Sequence, residues 1–104
     1  MKVRVLLEIP QNLIKMTDFE RNARYSYSEK LAYLQERISF PNLQTFSYKG
    51  IDVISISGIN KGVTWYFYSD GRLVKMRHWN WKTNIELYAK RYIDQCLLKK
   101  LNIP

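Results

Sequence analysis

The chain has 104 residues, 46% of them hydrophobic, and a formal net charge of +8, the size and composition of one folded domain spanning 1–104 rather than a disordered segment. The charge is lopsided: residues 71–104 carry eight Lys/Arg against two Asp/Glu, whereas residues 1–70 carry nine against seven. A single cysteine, Cys96, excludes an intramolecular disulfide, and with His78 as the single histidine no zinc site of ordinary ligand count can form within the chain.

Residues 2–9 alternate around Val3, Val5 and Leu7 and read as a strand ended by Pro10. Thr17-Asp18-Phe19-Glu20 and Ser26-Tyr27-Ser28-Glu29 are both capping-box patterns. Phe19, Ala23, Tyr27, Leu31, Leu34 and Ile38 share helical spacing, so residues 18–38 form one helix or a pair broken at Ser26–Ser28, and Phe40-Pro41-Asn42 ends the segment. The period then switches to two. Strands are predicted at Thr45–Tyr48, Ile51–Ser57, Val63–Ser69 and Arg72–Trp79, with Lys49-Gly50 and Asp70-Gly71 as turns and Ile59–Gly62 as a longer loop. Thr83, with Glu86 three residues on, is predicted to cap a final helix reaching about residue 100. The predicted fold is α+β: an antiparallel four- to five-stranded sheet with helices packed on one face, in the order β-α(α)-β-β-β-β-α.

A two-residue turn at Asp70-Gly71 sets Tyr66 opposite Lys75 and Thr64 opposite Arg77. The loop before Val63 sets Ile56 opposite Trp65 and Ile54 opposite Phe67, a register that keeps serine out of the core. One face then holds Ile54, Ile56, Trp65, Phe67, Val74 and Met76 beneath the helices, with His78 at the end of its row. The other holds Ser55, Ser57, Thr64, Tyr66, Tyr68, Lys75, Arg77 and Trp79. On this reading Lys75 and Arg77 neutralise phosphate, and Tyr66 or Trp79 stacks on a base. Lys82 and Arg91 extend the basic surface, and Arg77 and Lys82 bracket Trp79 and Trp81. In the last helix, Ile85, Ala89, Tyr92, Ile93, Cys96 and Leu97 form the inward stripe, Glu86-Lys90-Asp94 a charge ladder, and Leu87 and Leu98 an outer pair suited to a protein interface or a homodimer contact.

The chain contains no P-loop, Gly-x-Gly-x-x-Gly or Gly-x-Ser-x-Gly motif, and its carboxylates show no close metal-ligand spacing. No catalytic residue, metal or cofactor is therefore expected. No run approaches the ~18–20 apolar residues of a membrane helix and no charged-then-apolar leader is visible, so a cytoplasmic setting without membrane contact is expected.

The order of elements, with Arg77-His78 near the end of the last strand and Tyr88 beyond it, resembles the ribosome-dependent messenger-RNA toxins of the RelE type. That resemblance implies RNA cleavage by basic and aromatic residues. The sequence itself favours a binding protein over an enzyme. Its leading reading is a small basic domain that binds nucleic acid, DNA or RNA, through the polar aromatic sheet face and the basic C-terminal third. The alternative partner is an acidic protein surface. Lys, Ile, Asn and Tyr supply 35 of the 104 residues, a mix expected from AT-rich codons. That points to a phage or mobile-element inhibitor docking on a bacterial nuclease or CRISPR complex.

Overall fold

A computed structural model describes residues 17–59, 62–79 and 84–101. The predicted first strand at residues 2–9, the cap Thr83 and the site residue Lys82 lie outside the described residues. The order is α1 (Asp18–Asn22), α2 (Tyr27–Gln35), β1 (Leu43–Tyr48), β2 (Ile51–Ile59), β3 (Gly62–Ser69), β4 (Arg72–Trp79), α3 (Ile85–Tyr92), a π-helical turn (Ile93–Leu97) and α4 (Leu98–Leu101). The four strands form one antiparallel meander, β1-β2-β3-β4, and the class is α+β.

The 18–38 segment is two helices. Both capping boxes form: the Thr17 and Ser26 hydroxyls accept from the Glu20 and Glu29 amides, and each glutamate accepts in return from the cap amide. Ser26 takes an extended backbone, φ −73° and ψ 169°, which stops α1 from running on into α2. The Asp70-Gly71 turn has φ of 52° and 79°, and Ser69 pairs with Arg72, the two-residue hairpin expected from Asp-Gly. Lys49-Gly50 turns the same way, with φ of 51° and 82°.

Two β-bulges overturn the predicted registers. In β2, Ile59 pairs with Gly62 but Ser57 pairs with Val63, so Gly58 (φ 102°) is the extra residue. Beyond it Ser55, not Ile56, lies opposite Trp65, and Ile54 lies opposite Tyr66. In β4, Tyr68 pairs with Leu73 but Phe67 with Lys75, leaving Val74 unpaired; Tyr66 then faces Met76 and Trp65 faces Arg77. Each bulge slides its strand by one residue, and in a period-two structure one residue exchanges the faces.

The sheet is therefore covered on both faces, not one. On one side Ile54, Ile56, Tyr66, Tyr68 and Leu73 bury against Leu34, with Tyr27, Leu31 and Ile38 packed around them. The α2 start is tied there by the Tyr27 amide donating to the Gly71 carbonyl at 2.9 Å and by a Tyr27–Tyr68 edge-to-face contact at 5.4 Å. On the other side Ile51, Val53, Val63, Trp65 and Phe67 bury against Ala89, Ile93, Leu97 and Leu98. Ser55, predicted on the polar face, is 2% exposed on this side, its hydroxyl 3.4 Å from the Gln44 carbonyl. His78 is exposed beside Thr64 rather than at the edge of a core row, with Nδ1 2.9 Å from Thr64 Oγ1.

The final helix starts at Ile85 and is capped by Asn84, whose side-chain oxygen accepts from the Leu87 amide at 3.3 Å. Its second half departs from the predicted stripe. The Leu98 amide donates to the Ile93 carbonyl, an i→i+5 bond that inserts one residue into the turn. The inward positions beyond Ile93 become Leu97 and Leu98, and Cys96, predicted to be buried, is exposed. Leu98 is 8% exposed and belongs to the core, so the predicted outer leucine pair reduces to Leu87 at 42%. No helix among the described residues is long and apolar enough to cross a membrane.

Candidate functional site

The predicted sheet-face cluster is divided by the two helical layers. Tyr66 is 8% exposed under α2, with Lys30 Nζ 4.8 Å above its ring. Burial, and secondarily the Asp18 carboxylate, push its hydroxyl pKa up. A ring enclosed in this way has no open face for a base. Lys30 itself is partly buried, donates to Asn22 Oδ1 at 2.6 Å, and has its ammonium pKa lowered by desolvation. Lys75 lies opposite Phe67, on the α3 side of the sheet and half-buried.

Arg77, Trp79 and Arg91 do converge. With Trp65, Tyr88, Tyr92, Gln95 and Cys96 they line a cleft of about 280 Å³ between β4 and the final helix. Its construction follows from the bulge and the π turn. The Val74 bulge turns Arg77 and Trp79 toward α3, opposite Trp65 and Val63. The inserted residue of the π turn leaves Cys96 on the exposed side of the helix, where it joins the cleft wall beside Gln95, which lies outside the inward stripe on the α-helical period as well.

Within the cleft, Tyr92 is the fixed element: its ring lies 5.3 Å from Phe67 on the core side, and the Arg77 guanidinium lies 4.6 Å over it. Arg77 also lies 5.3 Å from the Trp79 ring, so two aromatic faces hold the guanidinium. Arg91 is exposed at the rim, 5.9 Å from Tyr88. Trp65 is 4% exposed at the cleft floor, and its indole Nε1 has no hydrogen-bond partner among the described residues.

The charges around the cleft are unevenly compensated. Lys90 pairs with Glu86 at 2.7 Å, and Lys49 with Asp94 at 2.7 Å, with Tyr48 also donating to Asp94 at 2.8 Å. The predicted ladder is thus broken after Lys90, because the π turn points Asp94 to the β1–β2 turn instead. Both carboxylates of the C-terminal third are engaged. Arg77 and Arg91 make no ion pair among the described residues. The described residues also hold no group of three or more His, Cys, Asp or Glu placed to bind a metal ion.

Sequence reasoning assigned Trp65 and Tyr92 to the core and left Gln95 without a binding role. The missed signals were local: an isolated Gly58 inside a strand pattern marks a bulge, and Tyr88, Arg91 and Gln95 lie at i, i+3 and i+7 on one helix side. Comparison with protein-family models, with curated proteins and with solved structures returns no match.

Proposed function

We propose that this protein binds nucleic acid through the cleft between β4 and α3, as a small cytoplasmic domain without chemistry of its own. One observation carries the reading: two arginines without carboxylate partners among the described residues share a cleft walled by Trp79, Tyr88 and Tyr92. Arginine next to aromatic faces suits a polyanion that also presents flat rings. The excess of eight Lys/Arg over two Asp/Glu in residues 71–104 supplies the attraction around it. The sheet faces are not part of this proposal, because helices cover both.

The test is a filter-binding titration of duplex DNA, single-stranded DNA and RNA at about 50 and 200 mM salt. Affinity is expected to fall with salt by about 0.7–0.9 in logarithmic slope per phosphate contacted. Arg91→Ala, at an exposed rim position, is expected to weaken binding and to lower that slope by about 1. Weak binding to all three polymers at the lower salt would refute the reading. RNA recovered shortened, with Arg77→Ala and Tyr88→Ala abolishing the cleavage, would replace it with the ribonuclease-toxin reading.

A second reading, an inhibitor that docks on a nuclease or defence complex, draws on a different surface. Tyr25, in the bend between α1 and α2, and Tyr33 on α2 are exposed, and the Arg37 guanidinium lies 3.7 Å over the Tyr33 ring. Tyr and Arg are the residue types that dominate binding at protein interfaces. A stoichiometric complex on size exclusion, lost in Tyr33→Ala and kept in Arg91→Ala, would establish it.

A further inference from the structure

We infer that the ligand of the β4–α3 cleft is a single strand, which places one unstacked nucleotide against the Tyr88 ring and its phosphate on Arg91. The inference rests on the nucleic-acid reading above and adds which form of the polymer is bound and how.

The first argument is shape. At about 280 Å³ the cleft falls just below the ordinary range of small-molecule sites, about 300–1,000 Å³. It accommodates one flat ring with its sugar and little more. It is a groove open to the outside, with β4 on one side and the final helix on the other. A duplex presents a convex sugar–phosphate surface and keeps its bases stacked inside, so it could touch the rim and leave the aromatic walls unused.

The second argument is chemistry. Of the lining rings, Tyr92 is taken up by Phe67 and Arg77, and Trp79 carries Arg77, so the ring left to receive a base is Tyr88, with donors at Arg77 and Arg91. Arg77 is already stacked on Tyr92, at 4.6 Å, so its planar fork is oriented before any ligand arrives. Arg91 is exposed beside Tyr88 and can follow a backbone phosphate at the mouth. A nucleotide joins a flat ring to a permanent anion in one unit, and of the two polymer forms the unpaired strand offers both at once while the duplex does not.

Cys96 supplies the readout, because it is exposed, lines the cleft and is the one cysteine of the chain. Its alkylation by iodoacetamide would be timed with twelve-nucleotide single-stranded RNA, the matching single-stranded DNA and the blunt DNA duplex, each at saturation as judged by filter binding. Either single strand is expected to slow alkylation by about fivefold or more and the duplex to leave it unchanged. Tyr88→Ala is expected to weaken single-strand binding about tenfold, the loss of one base–aromatic stack. Tyr88 is partly packed against the core, so Arg91→Ala, at an exposed position, repeats the test, and near-UV circular dichroism checks both folds. The RNA and DNA arms separate the two sugars within one ligand class. Equal protection by the duplex, or single strands bound without protection, would overturn the inference and leave the nucleic-acid reading standing. Failure of all three to bind would remove both.

Discussion

Gly62 opens β3 directly against the backbone of Trp79, and a Cβ added there would overlap the Trp79 carbonyl oxygen and press on the His78 ring. Its backbone angle is ordinary, so the constraint is space alone. Gly62→Ala is expected to destabilise the fold by about 1–3 kcal/mol through overpacking, measured as a lowered urea midpoint with an unchanged slope. In the sequence Gly62 was legible only as the end of a loop, because what it must avoid arrives from a strand seventeen residues later. Asp70-Gly71 was legible in full, since a two-residue turn needs positive φ at both positions and these residues supply it locally. Ser55 was misplaced because polarity reads as exposure, and Tyr66 because the face away from Trp65 and Phe67 reads as open, whereas α2 covers it. Ser55 is small enough to sit opposite Trp65 in the core, and the Tyr66 ring is apolar enough to bury under Lys30.

The π turn shows the same locality problem in a helix. Residues 85–92 follow the predicted α-helical period; from Ile93 one inserted residue moves every later side chain round the axis. The rotation buries Leu98, exposes Cys96 and brings Asp94 to Lys49, forty-five residues away in the chain. Hydrogen bonds from Lys49 and then Tyr48 hold the Asp94 carboxyl below its usual value, and the Asp94 hydrogen bond raises Lys49. A depressed carboxyl stabilises the fold above its unfolded value and loses that contribution as pH falls through the folded value. The clamp between the helix and the β1–β2 turn should therefore weaken below about pH 4. Asp94→Asn is expected to flatten the stability profile in that acid range, checked by urea unfolding between about pH 2 and 6. The pair is solvent-exposed, so the difference should shrink in high salt. The capping boxes needed no such contacts and were read correctly, because Thr17 and Ser26 find their partners three residues away.

At the scale of the molecule, the result that governs the site is that both sheet faces are core. Leu34 on α2 and Leu97 in the π turn are buried on opposite sides of the sheet. Leu34→Ala and Leu97→Ala are each expected to cost about 2–5 kcal/mol by denaturant unfolding. A near-neutral Leu34→Ala would show that the helix-pair layer contributes little. Neither sheet face is open, and of the predicted residues the cleft where β4 meets the final helix gathers Arg77, Trp79 and Arg91. By itself the sequence determined the α+β class, the antiparallel strands over residues 43–79, the two caps, the Asp-Gly turn and the basic C-terminal third. Each depends on neighbours within a few residues or on composition. Only the tertiary structure decided which face each strand residue occupies and which helical residues reach the cleft. The bulges at Gly58 and Val74 and the residue inserted after Ile93 each shift a register by one, and packing against distant elements selects among such shifts.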